Sequence, residues 1–339
     1  MTMRWMMGLA ALALTVSADA RDLDIPLEKG WQHARSGLIL RPRIAEFVRT
    51  GISDSTADEL DVAAQFRSTQ DGTILTIFVF RPAGGGVALW FDRARTALEQ
   101  NKAFGSVSPL TSESVFALPG RTTASAMRQA FTASSAAYRG TAVAIVPIGE
   151  WLVAVRVSGP AEGASIDARL TAVLAAIDWP ASTDAAATSV EPCPEPLRFA
   201  KAKQRKPDMM QGLMAGALAS ALAEEAAKTK DEPAEAPLCR DATPPTSMFG
   251  VYRRTGQEGY LLALGDAGRI VVVSPSLTSL LVDRKPGFAV SFNDLDGSTS
   301  HFPEFDRLPR PEQVVDTVMR GTPVSRTSDG GKNITINAK

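Results

Sequence analysis

DGTILTIFVFRPAGGGVALWFDRARTALEQ, residues 71 to 100, decides how the first half of this chain folds. Asp71-Gly72 separates two apolar runs, and glycine accepts the positive φ that a tight hairpin turn needs. From Thr73 to Phe80 nearly every position is apolar, the pattern of a central strand covered on both faces. Gly84, Gly85 and Gly86 then break the strand. Residues 87 to 100 read as a helix, with Ala88, Phe91, Ala94, Arg95 and Leu98 on one face and the Arg95 stem lying along its apolar neighbours. The glycines stand where a phosphate could rest on a helix amino terminus. Neither a G-K-S/T nor a later glycine follows, so a flexible crossover accounts for them.

On the amino-terminal side, SGLILRPRIAEFVRT (36 to 50) reads as a strand, a turn at RPR and a second strand. On the carboxy-terminal side, shorter strand-like pieces fill residues 105 to 133. TAVAIVPIGEWLVAVRVSG (141 to 159) then forms an apolar hairpin turned at Ile148-Gly149-Glu150. SIDARLTAVLAAIDWP (165 to 180) closes the half as a helix: Ser165 offers an N-cap, Ile166, Leu170, Val173, Leu174 and Ile177 make one stripe, and Pro180 ends it. The order hairpin, helix, strands, hairpin, helix predicts an α+β fold, an antiparallel sheet with its helices packed on one face.

That order resembles a known family. DVAAQFRSTQDGTILTIFVFRP before the first helix and YRGTAVAIVPIGEWLVAVRVSGP before the last look like the PsbP/Mog1-like sandwich and its secreted bacterial relatives. The likeness covers about half the chain. It implies interaction or assembly work and carries over no catalytic residue.

The ends and the middle set the address and the division. The first twenty residues, MTMRWMMGLAALALTVSADA, place Arg4 before an apolar run from Met6 to Val16, with Ala18 and Ala20 at an A-x-A cleavage site. This is the pattern of a secretory signal peptide cleaved after Ala20. The run would reach ~16 Å as a helix, against a bilayer core of ~30 Å. An uncleaved anchor is the other reading. Residues 21–182 then form the α+β domain. Residues 183–247 are a linker rich in Ala, Pro and charge, basic at RFAKAKQRK and acidic at KDEPAEAP. Residues 248–339 form a smaller, mostly β second domain: MFGVYRR, YLLALG, RIVVVSPS, SLLVDR and FAVSFND are strand-like between glycine turns, PEQVVDTVMRG is a short helix, and PVSRTSDGGKNITI is a final hairpin.

Inside the linker, DMMQGLMAGALASALAEEAAKTK predicts a helix over 208–228, with Asp208 as its cap. Met210, Met214, Leu218 and Leu222 line one side, and Gly212, Gly216 and Ser220 line another. The uncharged run from Met209 to Ala223 reaches ~22 Å, short of a ~30 Å membrane core, and two glutamates follow it. A docking helix between the domains or between two copies of the chain is expected instead, with a helix tucked onto its own domain as the alternative. The two cysteines, Cys193 and Cys239, flank this helix. In an oxidising compartment they pair most simply as one disulfide.

Composition narrows the function. The chain of 339 residues is 45% hydrophobic and 22% charged, with a net charge of -1. Loss of Arg4 and Asp19 with the leader leaves that balance unchanged, and it argues against a nucleic-acid binder. His33 and His301 are the two histidines, and no serine stands in a G-x-S-x-G elbow. Within FNDLDGSTSHFPE, Asp294, Asp296 and Gly297 match the middle of a calcium loop, but Phe292 and Pro303 occupy ligand positions, so a hairpin turn explains them. Met209, Met210 and Met214 suit an apolar helix face better than a copper site. Trp31, Trp90, Trp151 and Trp179 read as core. The expectation is a secreted or periplasmic, non-catalytic binding, assembly or envelope-maintenance factor without cofactor or metal. Its partner would be another envelope protein or a second copy. A hydrolase without a recognisable motif and a small-ligand carrier are the alternatives.

Overall fold

The computed structural model describes residues 20–206, 214, 217, 237–276, 286–329 and 331–337. Its first sheet is built from β1 (Phe47–Asp54), β2 (Asp61–Ser68), β3 (Ile74–Phe80), β4 (Ala126–Ala133), β5 (Gly140–Ile148) and β6 (Trp151–Gly159). Helix α1 (Val87–Glu99) connects β3 to β4, and α2 (Gly163–Ala176) follows β6. The spatial order is β1-β2-β3-β6-β5-β4, so two three-stranded meanders meet at the antiparallel β3–β6 pair. Short strands at both edges bring this sheet to ten. Both expected hairpins form. Gly72 takes φ 76, and the Ile148↔Trp151 register leaves Gly149-Glu150 as a two-residue turn.

The expected packing of both helices on one face does not occur, and the chain is mostly β, with 40% strand and 15% helix. α2 covers one face through Ile166, Leu170, Val173 and Leu174, against Leu75, Ile77, Val79, Val153 and Val155. The ribbon pairing Trp31–Gln32 with Ile39–Leu40 adds Trp31 and Leu40 to that same core. α1 covers the opposite face through Leu89, Trp90, Phe91 and Leu98, against Phe80, Val143, Ile145 and Leu152. The reason lies in the strands. All nine residues of β5 are buried, and successive side chains point to opposite faces, so both faces need cover.

Two local expectations also change. α2 begins at Gly163 with Glu162 as its cap, not at Ser165. A Cβ on Gly163 would lie 3.0 Å from the Phe131 carbonyl oxygen, and one on Gly140 would lie 2.8 Å from the Gly163 Cα. Bare backbone at both positions lets the first turn settle on the sheet. α1 is buried on nearly every side, including Asp92 and Arg93, rather than on one stripe.

The second sheet explains that burial. It runs in sequence order through β7 (Leu238–Arg240), β8 (Phe249–Arg254), β9 (Tyr260–Leu264), β10 (Arg269–Pro275), β11 (Phe288–Asn293), β12 (Thr299–Phe305), β13 (Ser325–Ser328) and β14 (Asn333–Ile336). The strand Glu191–Pro192 edges β7 in parallel, making nine strands. Tyr252, Leu261, Ala263 and Ile270 on one face of this sheet pack on α1. On the other face lie α3 (Pro311–Arg320), through Val314 and Val315, and an extended strap through Leu197, Phe199 and Ala202. The layers therefore stack as α2, first sheet, α1, second sheet, α3. SLLVDR, expected as a strand, lies outside the described residues, and β12 had no counterpart in the sequence reading.

Candidate functional site

The contact between the sheets is organised by two buried charged side chains on α1. Arg93 is 0% exposed. Its Nε donates to the Gly265 carbonyl at 2.7 Å, and its Nη2 donates to the carbonyls of Thr246 at 2.9 Å and Ser247 at 3.1 Å. Burial lowers the pKa of this guanidinium from its ordinary value, while the Tyr252 and Asp266 sides oppose that shift. A Cβ on Gly250 would sit 2.9 Å from the Tyr252 ring and 3.1 Å from Arg93 Nη1, so glycine is what lets β8 come this close.

Asp92, one residue earlier, accepts from three partners. The Tyr252 hydroxyl donates to Oδ2 at 2.7 Å; Arg240 Nη1 at 2.7 Å and Arg95 Nη2 at 2.5 Å donate to Oδ1. A carboxylate this buried persists because its lone pairs are filled by charged and polar donors. Burial first, and the Asp92 charge second, push the Tyr252 hydroxyl well above its ordinary pKa, so it stays a donor.

Beside this hub opens a cleft of about 390 Å³. Arg95 and Glu99 of α1 form one wall; Pro192, Cys193, Arg240 and the loop from Asp241 to Pro245 form the other. The disulfide between Cys193 and Cys239 builds the second wall. It ties the edge strand to β7, where the Cys193 amide also donates to the Arg240 carbonyl at 2.8 Å. The next residue, Asp241, accepts from the Leu197 amide at the start of the strap and, within its own loop, from the Thr243 amide and hydroxyl. Two arginines of the lining keep N–H groups outside this network. Arg95 Nε is buried with no partner among the described residues. Arg240 bonds through Nη1 and leaves its other N–H groups unused there. The Glu99 carboxylate, 37% exposed, stands at the rim, 4.0 Å from Arg95. This arrangement can donate hydrogen bonds to carbonyl or hydroxyl oxygens and accept at least one from a ligand.

The sequence-predicted sites fall as follows. The disulfide Cys193–Cys239 is present. Of the docking-helix residues, Met210, Gly212, Gly216, Leu218 and Leu222 lie outside the described residues, as does the leader; Met214 is helical and half-buried. Among the described residues no helix is long and apolar enough to cross a membrane, and no three His, Cys, Asp or Glu side chains gather as a metal site. His33 is fully buried between Trp31 and Trp151, with Nδ1 on the Ser36 hydroxyl at 2.8 Å and Nε2 on the Glu59 carbonyl at 2.9 Å. Burial lowers its pKa. His301 on β12 is lowered by burial too, and its Nε2 has no partner among the described residues. Asp294 and Asp296 serve a turn, bonding the Leu295 and Ser298 amides, with Gly297 at φ 77.

The glycines after β3 have a role that phosphate chemistry does not explain. The Gly84 carbonyl accepts from Trp90 Nε1 at 2.9 Å, and a Cβ there would meet the Ile270 side chain at 2.6 Å. They admit the second sheet. Asp92, Arg93 and Arg240 escaped the sequence reading; for the first two the available signal was a charged pair directly after the apolar start of the helix, Val87 to Phe91.

No protein-family model matches the chain, and no curated protein matches it.

Proposed function

We propose that the chain is an exported, non-catalytic binding factor of the cell envelope that engages its partner in the cleft between α1 and the disulfide-bonded edge of the second sheet. The observation that carries this reading is the cleft itself, where the partly exposed Arg240 guanidinium stands on an edge held by a covalent bridge and is oriented by the buried Asp92 carboxylate. Rigid presentation of a few polar groups is what specific recognition requires. Pocket polarity favours a polar segment of another envelope protein over an apolar cargo. The leader-like first twenty residues, the paired cysteines and the resemblance of the first half to the PsbP/Mog1-like sandwich support export and an assembly role.

A hydrolase is the second reading, because the Ser325 hydroxyl and His301 Nε2 lie on paired positions of β13 and β12 and neither has a partner among the described residues. Ser325 is 0% exposed, which leaves a substrate no route to it and favours binding.

The test is photo-cross-linking in growing cells, with the reactive residue at Ala242 in the cleft and at Lys29 away from it. The expected result is a discrete adduct from position 242 alone that disappears when Arg240→Ala is added. No adduct, or the same adduct from both positions, would contradict the reading.

A further inference from the structure

The strap that crosses the second sheet carries a second surface, separate from the cleft. Residues 197 to 205 are pinned in extended form. The Ala200 amide donates to the Leu308 carbonyl at 3.1 Å, and Gln313 of α3 brackets Ala202, accepting from its amide and donating to its carbonyl. Lys203 and Asp306 exchange hydrogen bonds, and Arg205 grips Glu304 at 3.0 Å and the Pro286 carbonyl at 2.9 Å. Leu197, Phe199 and Ala202 turn into the core. Arg198 and Lys201 between them, and Lys203 and Lys206 after them, are exposed, and none of these four side chains pairs with a carboxylate among the described residues. Arg307 and Arg310 on the adjoining segment are exposed too. The carboxylates nearby are Glu195, Asp306 and Glu312, and Asp306 is already engaged by the Lys203 amide and Arg307.

We infer that this ridge is a docking surface for an anionic phospholipid bilayer. On a chain of net charge -1, the concentration of cations along one strap is local and not a consequence of composition. From Arg198 to Lys206 an extended backbone covers ~26 Å at ~3.3 Å per residue, so the cations form a line longer than two screening lengths of ~10 Å. Four of the cations are held by a backbone that is itself hydrogen-bonded, so little order is lost on contact with a flat anionic surface. Three of those four are lysines, point charges suited to phosphate headgroups, without the exposed aromatic side chains with which single-stranded nucleic acid stacks.

The experiment is co-sedimentation of the full chain with vesicles of phosphatidylcholine alone or containing phosphatidylglycerol. Binding is expected only with phosphatidylglycerol at ~0.1 M salt, and is expected to vanish at ~1 M, where the screening length falls from ~10 to ~3 Å. Substituting Arg198→Gln, Lys201→Gln, Lys203→Gln and Lys206→Gln is expected to weaken binding by ~5-fold per charge removed. The melting temperature should not change, since all four side chains are exposed and have no partner among the described residues. The matched variant Lys29→Gln, Arg35→Gln, Lys102→Gln, Lys332→Gln, which changes net charge equally, should bind within ~2-fold of wild type, because attraction falls off within a screening length. Equal loss in both variants, binding that ignores phosphatidylglycerol, or binding to single-stranded DNA in place of vesicles would overturn the inference.

Discussion

Asp61 shows how one residue at the contact between the sheets ties stability to pH. It opens β2, is 5% exposed, and faces Arg269 of β10 at 3.6 Å, while Arg269 Nε is committed to Asp294 at 3.0 Å. Burial pushes its carboxyl up to about 6; Arg269 opposes that rise, and Asp266 and Asp54 add to it. A carboxyl whose folded pKa lies above its unfolded value stabilises the fold while protonated. That contribution is full below the unfolded value and is lost as pH rises through about 6. Asp61→Asn keeps the neutral form at every pH. Its stability relative to wild type should therefore increase by ~1 kcal/mol between about pH 5 and about pH 7.5, measured by urea unfolding. A difference that stays flat, or that shrinks as pH rises, would show that Arg269 holds Asp61 ionised throughout.

At the scale of the element, α1 behaves as core from both sides. Arg93 supplies three hydrogen bonds to carbonyls of the second sheet's loops from a site with no solvent access. Arg93→Met keeps most of the volume and strands those acceptors, which should cost ~3 kcal/mol or more in chemical denaturation. A loss under about 1 kcal/mol would mean that water replaces the guanidinium. The helix was legible as a helix from its glycine start and apolar spacing. Its second buried face was not, because a charged pair such as Asp92-Arg93 gives no apolar signal, and its burial depends on the second sheet placed against it. The cleft was hidden for the same reason: Asp92 and Arg240 are 148 residues apart, and no local pattern joins them. The disulfide was legible because two cysteines in one chain have one way to pair. The hairpins at Gly72 and Gly149 were legible because turn chemistry is local.

At the scale of the whole molecule, sheet topology was the least legible property. Strand order and helix order suit a one-faced sheet as well as a two-faced one; what decides is that β5 and β6 are buried along both faces. Once α1 lies between two sheets, neither sheet can lose its partner without exposing Leu89, Trp90, Phe91, Tyr252 and Ile270 together. α1 is therefore a shared core, and the two sheets form one cooperative unit. Differential scanning calorimetry of the oxidised protein tests this most directly. A single transition, with calorimetric and van't Hoff enthalpies equal and with Arg93→Met lowering the whole transition, is predicted. Two separable transitions, with Arg93→Met shifting only one or neither, would contradict it.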